Sequence, residues 1–427
     1  MIRWSLGLLA AAAMALGAHG RSFAFDGRLI DAATGAPVAE GVVFAAGRET
    51  RANLAGGFHV EGRPDRILAR AAGYRATAAT ATELAASGGA IRLTAFTPRA
   101  LYLTVYGVGS TGLRNGALSL VRAGAANALV IDLKGDRGLV PYPSAAPLAA
   151  SPGARAVTTI RDLPALVREL HGQGAYLIAR IVTFKDDPLA RAHQELAIKL
   201  PSGALFRDRE GLAWADPFQR QVWDYDIDLA EEAARAGFDE IQFDYVRFPD
   251  ASAKLVLASP STEESRVAAI SGFLGEARRR LAPYNVFLSA DIFGYVCWNT
   301  DDTGIGQRLE EVAAKVDYLA PMLYPSGFRF GIPGVGDPVA NSYAIVRNSL
   351  EEGRRRLKIS PRRFRPWLQA FKDYAFDRRP FDQDEVAEQV RAAVDFGADG
   401  WMLWNPRNTY AAAGLSRRPT PTPAGGR

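Results

Sequence analysis

Cysteine is almost absent from this chain: Cys297 is the single one in 427 residues. A disulfide within the chain is thereby excluded, and because Cys297 lies far from the N-terminus so is a lipid-anchor cysteine. Histidine is nearly as scarce, and His19, His59, His171 and His193 are scattered, none of them in a strand-like run of the larger part of the chain. Histidine-based metal catalysis and a Cys–His nucleophile therefore have little to stand on, and Cys297 reads as a small buried hydrophobe. Charge of one sign is lacking too, with 51 Lys and Arg against 46 Asp and Glu. The arginine-rich segments "EARRRL" and "EEGRRRL" contain no interleaved aromatics on which bases could stack, which argues against nucleic acid as a partner.

Long apolar runs are missing except at the start. "MIRWSLGLLAAAAMALGAHG" carries one arginine, an apolar stretch and then small residues at Ala18-His19-Gly20, the pattern of a cleaved export signal over residues 1–20. Its apolar part is short for a membrane span, and no later stretch approaches the roughly 20 apolar residues that spanning needs. The expectation is a soluble protein exported to the periplasm or the extracellular space, without a transmembrane segment.

What is present divides into two parts. Residues 22–96 show short runs that alternate apolar and polar, with turns at Thr34-Gly35 and Gly56-Gly57, the pattern of a small all-β sandwich. In Gly27, Asp31, Gly35, Pro37, Val38, Gly56, Gly57, Phe58 and the Gly73-Tyr74 pair this part resembles the carboxypeptidase-regulatory-like module, which implies a spacer or binding accessory. Residues 98–412 instead alternate apolar strands with amphipathic helices. Strands are expected at "ALYLTVYG", "ALVIDLKG", "AYLIARIVTF", "EIQFDYVRF", "VFLSADIFG", "VDYLAPMLY", "RPWLQAF" and "GWMLWN". Eight strands with intervening helices make an α/β chain with a (β/α)8 TIM barrel. The long connection from Lys185 to Gln221, with Trp214 and Phe218, reads as a wall or lid over the mouth. Residues 413–427, rich in Pro, Gly and Thr, read as a disordered tail.

Gly107, Gly109 and Gly112 spell GxGxxG after the first strand, and Asp132 stands about where a ribose-binding acid would. A nicotinamide-dependent oxidoreductase is thus one reading, but eight regular strands leave no separate dinucleotide domain and an exported protein meets little free cofactor. No cofactor and no metal is required; a divalent ion at Asp132 and Asp136 is a minor alternative.

Strand parity locates the chemistry. Asp132 with Lys134, Gln242 with Asp244, and Ser289 with Asp291 each share a face opposite apolar neighbours, at strand ends where barrel enzymes keep their reacting groups. Tyr324, Gln369, Trp404 and Asn405 fall at the same ends. A carboxylate inside a strand of Ile, Phe and Leu is costly unless paired, with Lys134, Arg180 or Arg247 as possible partners. Two opposed carboxyls with aromatics nearby are the equipment for breaking a glycosidic bond. Asp244, beside Arg247, is the candidate nucleophile or base, and Asp291, among apolar neighbours, the candidate acid. Asp132, Lys134, Gln242, Arg247, Tyr324, Gln369, Trp404 and Asn405 are candidate substrate ligands. Trp298, Tyr324, Trp401 and Trp404 are candidate sugar platforms.

"ALVIDLKGDRGLVPY", "EIQFDYVRFP", "LSADIFGY", "VDYLAPMLYPSGF" and "GWMLWN" together resemble a bacterial family of glycoside-hydrolase-like domains, a domain of unknown function, over residues 98–410. The resemblance implies a TIM barrel and a carbohydrate-active enzyme that takes a polysaccharide or oligosaccharide substrate, with Asp132, Asp244 and Asp291 in its signature stretches. The rival of a different class is a non-catalytic polysaccharide-binding protein in which those acids only bond sugar hydroxyls. Neither sugar nor oligomeric state is specified by these motifs.

Overall fold

The computed structural model describes residues 24–62 and 64–415; the expected export signal and the tail from residue 416 onward lie outside the described residues. The N-terminal part contains strands β1 (Ala24–Asp31), β2 (Val42–Ala45), β3 (Arg48–Arg51), β4 (Gly57–Glu61), β5 (Arg66–Arg70), β6 (Thr77–Thr80) and β7 (Ala90–Leu93). They form two small sheets, β4-β1-β7 and β3-β2-β5-β6. Period-two patterning sets the inner faces: in β4, Phe58 and Val60 are buried while His59 and Glu61 are exposed. Leu29, Val43, Ile67, Ala69 and Leu93, drawn from both sheets, share one buried cluster. The run "TATE" adds a helix, Ala81–Ala86, that an all-β reading does not contain. Thr80 caps its Glu83 N–H and Glu83 bonds back to Thr80, a complete capping box.

The rest of the described chain is a closed parallel barrel. Its strands are β8 (Arg99–Leu103), β9 (Ala128–Lys134), β10 (Tyr176–Val182), β11 (Glu240–Asp244), β12 (Phe287–Phe293), β13 (Tyr318–Met322), β14 (Trp367–Gln369) and β15 (Trp401–Trp404), and β15 pairs with β8 to close the ring. Helices at Thr111–Arg122, Leu163–Gly172, Arg220–Ala236, Glu263–Leu281, Leu309–Ala313, Ser342–Leu357 and Gln383–Phe396 follow the strands outside, within four residues of the boundaries their periodicity predicts. Strands covered on both faces read as near-continuous apolar runs, which is why they stand out in the sequence. Outward residues such as Ile131, Ile181, Phe243 and Ile292 join the helices in the larger core. Inward residues such as Tyr102, Val130, Ile178, Tyr318, Trp367 and Met402 fill the barrel.

The end of the barrel at the strands' N-termini is sealed. Arg365 bonds to both Glu240 and Asp399, the Tyr176 hydroxyl donates to Glu240 at 3.1 Å, and the Gly73 N–H donates to the Tyr318 hydroxyl at 3.1 Å. Phe96 packs on Tyr176 with ring centroids 5.3 Å apart. The small sheets are fastened there by Arg70, buried between Glu49 at 2.6 Å and Asp317 at 3.0 Å, with Arg278 bonded to the same two acids. That leaves the opposite, carboxyl-terminal mouth for chemistry.

The GxGxxG segment is tightly packed at its first two glycines. A Cβ on Gly107 would lie 1.9 Å from Asn408 Oδ1, and one on Gly109 2.4 Å from Thr159 Cβ. Gly107 and Gly109 allow close packing of the chain on itself, while Gly112 faces open space, and a closed eight-stranded barrel is not the open sheet whose switch point this fingerprint marks. The nicotinamide reading therefore falls. Among the described residues, no helix is long and apolar enough to cross a membrane.

Candidate active site

Arg180 is the hub of the carboxyl-terminal mouth. It is fully buried at the end of β10, and its guanidinium serves three carboxylates. Nη1 donates to Asp132 Oδ1 at 2.7 Å and Nη2 to Asp136 Oδ1 at 2.7 Å. Nη2 and Nε both donate to Asp244 Oδ2, at 2.5 and 3.0 Å. Trp404 lies against one side of it, with the guanidinium carbon 4.7 Å from the ring centroid, and Trp404 stacks on Tyr102 at 4.0 Å. One cation among four acids, counting Asp291, leaves a surplus of carboxyl groups that burial does not allow to be fully charged.

Burial and like charge favour protons on some of these carboxyls. Asp291 sits beside Asp244 on the adjacent strand; one of its oxygens accepts from Trp367 Nε1 at 2.8 Å, and the other has no N–H donor, Arg180 Nε being 3.9 Å away. What faces it is the Asp244 carboxyl, and two carboxyls can share a hydrogen bond only when one carries a proton. Asp244 accepts from Arg180 and, at 2.6 Å, from the Tyr245 N–H, whereas the second Asp291 oxygen has no N–H donor. Burial and the neighbouring Asp244 push the Asp291 pKa well above the usual carboxylate range, against the pull of Arg180 and Trp367. Asp132, which accepts the Tyr102 hydroxyl at 2.7 Å, is raised by burial to about 7, with Arg180 pulling down and Asp136 pushing up.

The structure brings Asp132, Asp244, Asp291, Tyr324 and Trp404 together at this mouth and takes other candidates elsewhere. The ladder between β9 and β10 slips by one residue beyond the Arg180–Asp132 pair, so Lys134 stands opposite the outward-facing Ile181. Its ammonium is held at 2.7 Å from Asp186 and 2.6 Å from Asp226 in the helix layer, away from the mouth. Gln242 lies one layer below Asp244, with its Nε2 on Met402 Sδ at 3.3 Å. Gln369 is consumed by the Ser326 hydroxyl, the Ser326 N–H and the Phe371 carbonyl. Asn405 folds back on Thr409 O and Arg407 N–H. Arg247 is caged by Trp214, Tyr245 and Phe293 at 4.9, 5.0 and 4.5 Å and donates to Phe248 O, lining the mouth beside Asp244 without bonding to it. Trp401 is buried in the outer core, and Trp298 donates to Ser349 outside the barrel, so neither is a sugar platform. Asp132 and Asp136 converge on Arg180, which occupies the position an ion between them would take. Burial pushes the Cys297 thiol up to about 12, as suits a core residue.

Tyr102 and Trp367 are site residues that pattern reading passed over. A tyrosine and a tryptophan inside strands look like core, and only their bonds to Asp132 and Asp291 reveal otherwise. The lone charge of Arg180 in "AYLIARIVTF" was the visible signal.

A (β/α)8 barrel with acids gathered at its carboxyl-terminal mouth is an architecture that glycoside hydrolases share with other enzymes. The chain belongs to the family described as "Putative glycosyl hydrolase domain" (DUF4015), whose model matches residues 100–410, and membership supports a glycan-cleaving function. Among solved structures, the glycoside hydrolase domain of PgaB (BpsB) from Bordetella bronchiseptica is similar at 15% identity, covering 73% of this chain and 95% of that one with a TM-score of 0.53. That likeness shows the fold. A hypothetical protein from Ruminiclostridium thermocellum ATCC 27405 is 38% identical over 45% of this chain and 96% of its own, with a TM-score of 0.40. No curated protein matches significantly.

Proposed function

We propose that the chain is an exported glycoside hydrolase that cleaves a polysaccharide at this mouth, and that its small N-terminal sheets are an accessory fastened to the barrel's closed end. The observation that carries the reading is the buried Asp291 carboxyl beside Asp244, one oxygen of it without an N–H donor, with Asp132 across the Arg180 guanidinium. Asp244 and Asp291 end adjacent, paired strands and interact directly, which favours one shared role over a pair flanking the sugar. They act as one unit, in which Asp291 donates its proton to the glycosidic oxygen as the bond to the anomeric carbon breaks. Asp244 holds that proton in place beforehand, and the Trp367 N–H and Arg180 compensate the charge left on Asp291 afterwards.

The second carboxylate is Asp132. It accepts from Arg180 Nη1 at 2.7 Å while Arg180 Nε lies 3.9 Å from Asp291, so the two carboxyls face one guanidinium, and this reading requires a water held between them. Asp132 takes a proton from that water as its oxygen attacks the anomeric carbon from the other face, giving inversion. A pKa of about 7 suits a base working near neutrality. Trp404 and Tyr324, both part-exposed, offer ring faces to the sugar.

Incubation with purified exopolysaccharides and cell-wall glycans, with mass analysis of the products and NMR of the first-formed anomer, tests the reading. Release of oligosaccharides of inverted configuration, lost in Asp291→Asn and Asp132→Asn, is expected. A retained anomer would remove Asp132 from the role of base. Binding of a glycan that is never cut would favour the binding-protein reading.

A further inference from the structure

Among the described residues, four aromatic side chains are strongly exposed: Tyr106 at 55%, Phe330 at 92%, Tyr374 at 46% and Phe376 at 38%. All four stand on segments that leave the carboxyl ends of barrel strands: Tyr106 after β8, Phe330 after β13, Tyr374 and Phe376 after β14. The sealed end of the barrel and its outer helices expose none, and the other exposed large apolar residues are the aliphatic Leu54, Val256 and Val394. Apolar rings in water on one face only are the mark of a binding surface.

One of these rings, Tyr374, connects with the acid pair. Tyr324, at the end of β13, is close enough to Asp291 and Asp244 that, after burial, their charges add to the rise of its phenol pKa. Phe371 meets Tyr324 edge-on at 5.5 Å, and Tyr374 lies parallel to Phe371 at 6.2 Å, so a line of rings runs from the carboxyls to solvent. Away from this line, after β8, Tyr106 walls a 580 Å³ cavity with Arg137, Asp187 and Arg191, whose charged groups can bond hydroxyls.

We infer that these rings are outer subsites on which successive sugars of a long glycan stack, so that the chain lies across the mouth and is cut internally. The inference rests on the proposed hydrolase reading and extends it: the substrate is a polymer that reaches beyond the residues flanking the cleaved bond. Each stacked sugar adds its C–H face to an aromatic ring already in place, so affinity rises with chain length up to the span of the rings.

The test uses the full chain carrying Asp291→Asn, so that polymers are not consumed, in native gels cast with soluble xylan, mixed-linkage β-glucan, dextran, alginate or chitosan. Retardation by at least one of these is expected, with affinity at least fivefold lower in Phe330→Ala/Tyr374→Ala and unchanged in Leu54→Ala. Equal retardation of the aromatic variant, or none by any polymer, overturns the inference. So does self-association in sedimentation that Phe330→Ala abolishes, which would make this face a contact between copies. If ring-dependent binding holds but the wild-type chain releases no reducing ends, the hydrolase reading fails while the subsites stand. If the aromatic variant cleaves polymers as well as the wild type does, hydrolysis stands and the subsites fall.

Discussion

Replacing Asp132 by Asn separates its two roles, since one change alters both a proton and a reaction. The native pKa of about 7 stands against 3.8 for an unperturbed aspartate, with burial as the main cause. A carboxyl raised in the native state binds its proton more tightly there than in the unfolded chain. Its stabilising contribution is complete below about pH 4 and is lost as pH rises through 7. At about 1.36 kcal/mol per pH unit, the span from 3.8 to about 7 corresponds to about 4 kcal/mol of stability that disappears between those pH values. Asn cannot ionise, yet it can accept from Arg180 and meet the Tyr102 hydroxyl, which turns to accept from the amide. Urea unfolding of Asp132→Asn at intervals from pH 4 to 8 should therefore show a stability profile flatter than wild type by a few kcal/mol. In the wild type, kcat/KM should rise with pH through about 7 as the base loses its proton. The variant should lose about 100-fold or more of that activity. Parallel stability profiles would show that Asp132 does not carry the raised pKa. A variant with more than about a tenth of wild-type turnover would remove it as the base.

Arg180→Met strips Asp132, Asp136 and Asp244 of their common cation; about 3–5 kcal/mol of stability should be lost at pH 7 in urea melts, and less at pH 5, where protons replace the missing charge. A loss below about 1 kcal/mol at pH 7 would refute the hub. Trp367→Phe removes the N–H that favours the charged form of Asp291, so the alkaline limb of the pH–rate profile should move upward in pH; an unmoved limb would mean another group is the acid. At the module interface burial acts to raise the Asp317 pKa, but Arg70 and Arg278 outweigh it and hold it well below the usual range. The stability it contributes is present above about pH 4 and is lost as pH falls, so Arg70→Met should weaken the fold at pH 7 by about 3–5 kcal/mol and leave it less sensitive to acid. Iodoacetamide should leave activity intact, because the Cys297 thiol is buried with its pKa near 12.

The barrel was legible because strands covered on both faces and helices with one apolar stripe leave different periods in the sequence. Parity then placed Asp132, Asp244 and Asp291 correctly inside, since alternation is a local property of a strand. It misplaced Lys134 because a register slip between β9 and β10 reverses facing without changing the residue pattern. Gln369 and Asn405 sit where expected, but loop backbone that no periodicity describes has taken up their hydrogen bonds. Parity tells which side chains enter the barrel, and not how far apart their carboxyls lie.

Both ends of this barrel hold an arginine among acids, and the proposed working end differs from the other in how many carboxyls surround it. At the closed end Arg365 is shared by Glu240 and Asp399, the Tyr176 hydroxyl donates to Glu240, and Phe96 and Gly73 pack over the cluster. At the open end Arg180 is outnumbered by Asp132, Asp136, Asp244 and Asp291, and burial raises the pKa of Asp291 and Asp132, which favours protons on those carboxyls. An arginine's charge is fixed, whereas a carboxyl's proton can be given up and regained. Burial at the closed end therefore yields stability alone. The same chemistry with two more carboxyls, left beneath a part-exposed Trp404 and Tyr324, yields a proton donor and, across the guanidinium, a group able to receive one.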